Sequence, residues 1–496
     1  MAIKSLAARI WASQLVPRTY RQAQHAVETQ QQLLRTLTHA ARFTEFGKAH
    51  GFQDIQTPEA FRTQVPLRTY EELLPWIERI LAGKPDVLWP GHPIYLATTS
   101  GTTAGAKYIP ITRDSIPFHI QSARDALLFY VYHSGKTDFV NGRMTFLSGS
   151  PELETHTSGI PLGRLSGIAH HYVPSYLTRN RLPSFAVNCI DDWETKVERM
   201  LDESLASDLR LLSGIPPWVQ MYLERVRART GRAPAEIWPH LQVYVHGGVD
   251  FRPYQHLILE ALGRPVDLVE TYPASEGFIA FQDDYRAEGL LLRFNQGMYF
   301  EFVPLNEVGK ADAPRLHLGQ VQLDQQYAIV LNTNSGLWGY VIGDTVRFVS
   351  LNPPRIKVTG RIKHFISAFG EHVIQEEVNQ ALTQACKACP AVVTEFTVAP
   401  KIGENHSCHE WWIEFEVPPA DEIAFGQHLD QAMREQNKYY DDLRTGGMMG
   451  QAQVIRLRPQ ACRDYMKSIG KLGGQNKFPR LTNDRKLVDA LMPYRQ

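Results

Sequence analysis

The sequence predicts an α/β protein: a large N-terminal domain with layered α/β sheets and a β-rich subdomain, followed by a smaller α+β segment. Three observations predict it. Between residues 142 and 270, short strand-like runs alternate with helical stretches, as in parallel sheets with crossover helices. Between 290 and 350 the helical stretches disappear and short strands follow one another. Pro353-Pro354 then marks a break, and strands and helices mix again from residue 360.

Taken in order, residues 1–90 read as mainly helical. QAQHAVETQQQLLRTLTHAARFTEFGKAHG carries apolar residues at helical spacing, with Gly51 as a stop. Thr69 can cap the helix YEELLPWIERIL, whose first-turn glutamates suit the dipole. A helix is expected from about Ile116 to Tyr132 and a buried strand from Arg143 to Ser148. Leu211 to Pro217 reads as a strand and tight turn before the helix WVQMYLERVRART. Leu241 to His246 is a strand running into Gly247-Gly248, then come helix PYQHLILEALG and a strand from Val266 to Glu270. Ligands in such sheets bind beyond the carboxyl ends of the strands, where these glycine turns fall. Met298–Val303, Gly319–Leu323, Tyr327–Asn332 and Thr345–Val349 are the strands of the β-rich part. The last segment carries strands at Lys363–Ala368, Ala391–Val398, Trp411–Val417 and Gln453–Leu457, with helices Gln375–Cys386 and Glu422–Gln436.

Composition narrows the function. Of 496 residues, 43% are hydrophobic and 21% charged, which suits a soluble protein with large cores. Lys+Arg and Asp+Glu are both 52, so no charge imbalance points to nucleic acid or an anionic membrane. No apolar run reaches the ~20 residues a membrane span needs. Arg9 interrupts the N-terminal apolar stretch too early for a secretory core, so a mature helix is expected there. Five sparse cysteines suit a reducing compartment and a cytoplasmic protein. Cys386 and Cys389 form a CxxC in a helical pattern without a second pair at zinc spacing, so redox or metal chemistry is the lesser reading.

The stretch Thr98 to Thr112, TTSGTTAGAKYIPIT, is the chemical centre. Thr99, Ser100, Thr102 and Thr103 surround Gly101, and Gly105 and Lys107 follow. A strand, a flexible hydroxyl-rich loop and a second strand are expected, with N–H and O–H donors suited to phosphate oxygens and Lys107 adding a charge. From Gly101 the pattern G-x-x-x-G-x-K is one residue short of a Walker A loop and lacks its Ser/Thr, which disfavours a P-loop NTPase. Alone, such a cluster is more often an ordinary polar turn than a phosphate site. Further on, Tyr272, Ser275 and Glu276 in TYPASEG offer an aromatic, a hydroxyl and a carboxylate that suits Mg²⁺. Asp344 in WGYVIGD could accept ribose hydroxyls or simply occupy a turn. Arg361, after Thr359-Gly360, suits a hinge, and Lys471 and Lys477 lie in a glycine-rich basic tail that domain motion could deliver.

TTSGTTAGAK, TYPASEG and WGYVIGD, in this order, resemble the nucleotide motifs of the acyl-adenylate-forming superfamily. LSGIPPW, VYVHGGV, YFEFVP, TGRIKHFISAFGEHV, HEWWIEFE, NKYYDDLR and KSIGKLGGQNKFPRL extend the resemblance, more narrowly, to bacterial members of the auxin-responsive Gretchen Hagen family of acyl-acid amido synthetases. The resemblance implies an adenylation domain over 1–358 and a mobile C-terminal domain over 359–496. It also implies that ATP and Mg²⁺ activate a carboxylic acid as acyl-AMP, whose acyl group passes to an amino acid amine. Thr99, Ser100, Gly101, Thr102, Thr103 and Lys107 then match the phosphate motif. Gly248, Tyr272 and Ser275 match nucleotide-facing positions, Glu276 the Mg²⁺ ligand, and Asp344 the ribose carboxylate. Arg361 matches the hinge residue and Lys477 the lysine that reaches the α-phosphate. Gly339 and Val341 flank Tyr340 where the family usually has an Arg.

An acyl-CoA ligase would share the adenylation half, and a non-catalytic nucleotide-binding protein would have no reason to keep Glu276, Asp344 and Lys477 together. Aromatics and histidines between about Ser166 and Tyr176, among them His170 and His171, are candidates for the acyl pocket, although a satisfied structural histidine is the stronger reading of either. Asn437, Tyr440 and Arg444 belong to the resemblance without a derivable role. The partners expected are an acid and an amino acid, with no nucleic acid or membrane; a monomer is the default.

Overall fold

The computed structural model describes residues 3–102, 105–173, 179–190, 192–249, 251–310, 312–362, 365–366, 368–371, 373–403, 407–469 and 478–496. Five helices open the chain, Ile3–Ala23, Ala26–Ala41, Glu45–Ala49, Pro58–Gln64 and Tyr70–Leu81. The last begins as its sequence requires: the Thr69 N–H donates to Glu72 Oε2 at 2.7 Å, relieving one of the N–H groups a helix start leaves unpaired.

The strands, in chain order, are β1 (Tyr95–Thr102), β2 (Gly105–Ile111), β3 (Arg143–Phe146), β4 (Glu154–Thr155), β5 (Pro161–Gly163), β6 (Arg181–Leu182), β7 (Leu209–Ser213), β8 (Val243–Gly247), β9 (Asp267–Ala274) and β10 (Gly277–Phe281). They continue with β11 (Leu290–Leu292), β12 (Met298–Pro304), β13 (Gln326–Thr333), β14 (Tyr340–Leu351), β15 (Pro354–Arg361), β16 (Phe365–Ile366), β17 (Val373–Ile374), β18 (Val392–Lys401), β19 (Cys408–Val417) and β20 (Gln453–Leu457).

Among the described residues one sheet holds eleven strands, in the order β12-β13-β14-β15-β11-β10-β9-β8-β7-β3-β6. Its β6, β3, β7, β8 and β9 are parallel, and everything beyond β9 is antiparallel. The β-rich part is thus an extension of the parallel sheet. Successive residues of each parallel strand point to opposite faces. Leu211 and Val243 face a core shared with helices Ile3–Ala23 and Ile116–Ser134, whereas Leu212 and Tyr244 face helices Pro216–Thr230 and Arg252–Leu262. The second core runs on through Phe369, Val373, Phe396 and Trp411. A four-stranded sheet (β2-β1-β5-β4), the pair β16-β17 and a three-stranded sheet (β18-β19-β20) complete the set.

Three expectations need correction. Gly319–Leu323 is a turn and irregular stretch that buries only Val321, with an isolated bridge from Leu323 to Phe348 instead of a strand. The hydroxyl-rich stretch is not an open loop: β1 and β2 stay paired from Tyr95–Ile111 to Thr102–Gly105, with one irregularity between Thr99 and Thr102. Pro353-Pro354, read as a break, sits at the tight turn joining β14 to β15, which pair back to Leu351–Pro354.

Candidate active site

The carboxyl ends of the parallel strands open into a cleft of about 2150 Å³, well beyond the 300–1,000 Å³ typical of a single-ligand pocket. Gly214 follows β7 there, and Gly247-Gly248 closes β8. A side chain at Gly247 would meet the Thr271 carbonyl oxygen at 2.2 Å, and Gly248 has φ +85°, so both glycines are dictated by the backbone.

The β1–β2 hairpin forms one wall. Thr98, Thr99 and Lys107 line the cleft, and Thr99 pairs directly with Lys107. The Lys107 ammonium lies 5.4 Å from the centre of the Tyr70 ring, and the Tyr70 hydroxyl accepts the Tyr108 N–H at 2.7 Å. Ser100, Gly101 and Thr102 continue β1. Thr103 lies outside the described residues.

The next wall is built from two motifs that reach across to each other. The Tyr272 hydroxyl, at the end of β9, donates to the Asp344 carboxylate in β14. The Tyr340 hydroxyl, at the start of β14, donates to Glu276 Oε1 at 3.3 Å, in the turn between β9 and β10. Each motif thus supplies the tyrosine that holds the other's carboxylate. Ser275, Glu276 and Asp344 all line the cleft. Asp344 is only 6% exposed and lies within a strand, which disposes of the simple turn. Tyr340 lies in the WGYVIGD motif, but nothing in the sequence assigns it this contact; its partner is 64 positions away.

The structure also accounts for the glycine beside Tyr340. Gly339 has φ +60°, and a Cβ there would meet the Pro66 carbonyl oxygen at 2.3 Å. Arg68 donates its N–H to Gly339 O and accepts from Val341 N, each at 2.8 Å. An arginine at 339 is therefore excluded by backbone packing. Arg361 ends β15 and stands opposite Asp344 in register, which puts the expected hinge beside the expected ribose carboxylate.

Residues after 365 close the cleft from another side. Tyr439 donates its hydroxyl to the Thr98 carbonyl at 3.2 Å, Asp442 forms an ion pair with Arg164, and the Arg164 guanidinium lies 4.6 Å over the Tyr439 ring. Both residues belong to the helix Lys438–Thr445, which Asn437 caps by accepting the Tyr440 N–H at 2.9 Å. Tyr440 and Arg444 turn the other way, onto Asp430, at 2.7 Å and 2.9 Å. Asn437, Tyr440 and Arg444 therefore have structural roles, and their neighbours Tyr439 and Asp442 touch the hairpin. Lys471 and Lys477 lie outside the described residues.

The apolar part of the cleft lies between helix Ile116–Ser134 and the sheet, with Ile120 and Leu127 above Met144, Phe146 and Leu211. His119 is buried there with Nδ1 unpartnered, and burial lowers it to about 4. His246, stacked on Phe251 at 4.0 Å, is likewise lowered to about 4 by burial. Of the two histidines expected near the acyl pocket, His171 is satisfied by the Pro151 carbonyl at 2.8 Å. His170 lines the cleft with Nδ1 unpartnered and is lowered to about 4, first by burial and then by Arg181 and His171. Cys386 and Cys389 are free thiols away from the cleft.

A long sheet that is parallel on one side and antiparallel on the other, with a hydroxyl-rich hairpin and a cleft between them, is the fold of adenylate-forming enzymes. Two solved structures share it. The GH3.15 acyl acid amido synthetase aligns with TM-score 0.59 at 17% identity, covering 95% of this chain and 94% of that one. The 2-hydroxyisobutyryl-CoA ligase, bound to 2-HIB-AMP and CoA, aligns with TM-score 0.60 at 15% identity, covering 95% and 91%. The sequence matches the GH3 family N-terminal domain over 17–182, the central domain over 291–361 and the C-terminal domain over 376–486. The chain belongs to the GH3 family. It is 23% identical to the indole-3-acetic acid-amido synthetase GH3.8 of Oryza sativa subsp. indica over 90% of this chain and 87% of that protein. It is 21% identical to the jasmonoyl–L-amino acid synthetase JAR6 of Nicotiana attenuata, over 73% and 74%.

Proposed function

We propose that this chain is an ATP-dependent acyl-acid amido synthetase, activating a carboxylic acid as acyl-AMP and transferring the acyl group to an amino acid. It is a ligase that forms C–N bonds. The observation that supports this most is the crossed pair Tyr272–Asp344 and Tyr340–Glu276 facing the Thr98–Lys107 hairpin across one cleft. A carboxylate does not acylate an amine at neutral pH, because its oxygen leaves poorly. Its attack on the α-phosphate expels pyrophosphate and makes AMP the leaving group. The amine then attacks the acyl carbon, loses a proton, and AMP departs.

The chain's residues take the following parts. Asp344, oriented by Tyr272, accepts the ribose hydroxyls, while Tyr272, Ser275 and Gly248 border the adenosine. Thr99, Ser100, Gly101, Thr102, Thr103 and Lys107 face the phosphates with hydroxyls, backbone N–H groups and one cation. Among the described residues no three His, Cys, Asp or Glu side chains cluster as a metal site, which suits an ion held chiefly by phosphate and water. Mg²⁺, held by Glu276 with those phosphates, would neutralise charge on the triphosphate. Lys477 reaches the α-phosphate, and Arg361 sits where the adenylation domain, 1–358, meets a mobile domain, 359–496. Motion between them presents one site to two half-reactions. Among the described residues no helix is long and apolar enough to cross a membrane. The reading places the enzyme in the cytoplasm, with ATP and free amino acids, as a monomer.

The acyl-CoA ligase reading shares the first half-reaction and the fold. The test is pyrophosphate release with ATP and Mg²⁺ over a panel of acids, with and without mixed amino acids and CoA. Acid-dependent release that rises with an amino acid is expected. Release that rises only with CoA would transfer the chain to the ligase class, and no release with any acid would overturn the reading.

A further inference from the structure

The apolar end of the cleft contains a cation that the adenylation chemistry does not use. Arg181 lies in β6, the edge strand, in register with Met144 of β3, and so projects from the face that carries the acyl part of the cleft. Its guanidinium stacks 5.0 Å over the Phe146 ring. Its Nε is buried without a hydrogen-bond partner, and among the described residues no carboxylate pairs with it. Three other arginines withdrawn from solvent are matched by carboxylates: Arg293 with Asp125 at 2.8 Å, Arg315 with Glu301 at 2.6 Å, and Arg355 with Asp283 at 2.7 Å. Burial lowers Arg181 only to about 10, so it stays charged at neutral pH. A charge withdrawn from water without a counter-ion is costly, and a planar guanidinium held on an aromatic face is pre-set to take a carboxylate with two hydrogen bonds.

Its place in the cleft fixes what it can read. Arg181 is level with Met144, two residues or roughly 7 Å behind the carboxyl end of β3, whereas the nucleotide residues lie beyond the strand ends. A reacting carboxylate near the phosphates would therefore leave the opposite end of the acid facing Arg181. Between them the wall is apolar, with Phe146 and Leu211 below and Ile120 and Leu127 above. His170, neutral and with an unpartnered Nδ1, stands beside the guanidinium as a second hydrogen-bonding group.

We propose that Arg181 binds a second carboxylate on the acyl acid, so that the enzyme activates dicarboxylic acids whose two carboxylates are separated by an apolar spacer. This rests on the synthetase reading and adds the substrate class. The probes are matched pairs of acids, terephthalate against 4-methylbenzoate and adipate against hexanoate. Pyrophosphate release is measured for the wild type, Arg181→Met and Arg181→Lys. Acid-dependent rise in melting temperature is measured on the same proteins, with and without ATP. The expected result is a diacid-to-monoacid ratio of kcat/KM that falls roughly ten- to a hundredfold in Arg181→Met, the size of one charge-assisted contact, with Arg181→Lys in between. An equal loss for diacid and monoacid in both pairs would overturn it. If no acid releases pyrophosphate, the synthetase reading fails. The inference then stands or falls on whether the diacid stabilises the wild type more than Arg181→Met. Should Arg181→Met not fold, Arg181→Lys, which keeps the charge and most of the stem, carries the same comparison.

Discussion

Tyr272→Phe isolates one contact of the proposed nucleotide wall. The change removes a single oxygen and leaves the ring, which is 9% exposed, in place. What is lost is a hydrogen bond donated to the Asp344 carboxylate. Bonds to charged acceptors contribute about 1.5–3 kcal/mol when buried. Both groups border a cleft that water can enter, so the lower figure applies, and global stability should change little. For a chain of this length the melting temperature should fall by less than about 2 °C. The effect should instead appear in ATP binding. If Tyr272 fixes the carboxylate that accepts the ribose hydroxyls, losing about 1.4 kcal/mol of orientation raises KM for ATP about tenfold. The assay is initial-rate pyrophosphate release against ATP concentration at saturating acid, with melting curves of both proteins alongside. Asp344→Asn, which keeps the shape and removes the charge, should raise the same KM at least as much. A Tyr272→Phe enzyme with unchanged KM for ATP but a melting temperature lowered by several degrees would refute the reasoning, making the contact a matter of packing.

Three further outcomes follow from the same site. Glu276→Ala should move the Mg²⁺ titration of pyrophosphate release to higher concentrations by about tenfold or more, and an identical titration would remove Glu276 from the metal. Lys477→Ala should leave ATP binding largely intact while lowering adenylation by two orders of magnitude or more; unchanged pyrophosphate release would refute its role. Stability should fall with acid below pH 6.5. His119 and His246 are lowered to about 4, so between these pH values the unfolded chain binds protons that the native state does not, and stability rises with pH across that window. At pH 5 each histidine costs on the order of 2 kcal/mol relative to pH 7. Denaturant midpoints should therefore drop between pH 7 and 5, and His119→Gln should shrink the drop; an unchanged drop would clear His119.

Local signals made much of the fold legible. Helix Glu422–Gln436 and strand β20 fall where the sequence places them, because Asp421 caps the helix by accepting the Ile423 and Ala424 N–H groups and β20 gathers Val454, Ile455 and Leu457 in five residues. Strand partnership was not legible. Nothing near Pro353-Pro354 says that β14 and β15 pair across it, or that both add to the sheet begun by β3, since those pairings join distant stretches. The candidate site shows the same division. Tyr272, Glu276 and Asp344 stand out as motif residues, and they do converge, but the crossed tyrosine contacts depend on register and not on spacing. In NKYYDDLR the sequence draws attention to Asn437, Tyr440 and Arg444. Helical geometry puts Tyr440 and Arg444 on one face, toward Asp430, and Tyr439 and Asp442 on another, toward Thr98 and Arg164.

The change from parallel to antiparallel pairing occurs between β9 and β10, at the turn that carries Glu276. The carboxylate proposed for the metal therefore sits on the seam between two halves of the chain, and its tyrosine comes from β14, beyond that seam. A nascent chain that has folded only its parallel half holds the glycine turns of the cleft but neither Tyr340 nor Asp344. On the proposed reading such a fragment has no complete nucleotide wall. Conversely, a nucleotide bound across the seam, as proposed, would favour the assembled sheet over any state in which the halves have parted, by RT ln(1 + [L]/Kd). On that reading a bound nucleotide would act as a rivet through the sheet.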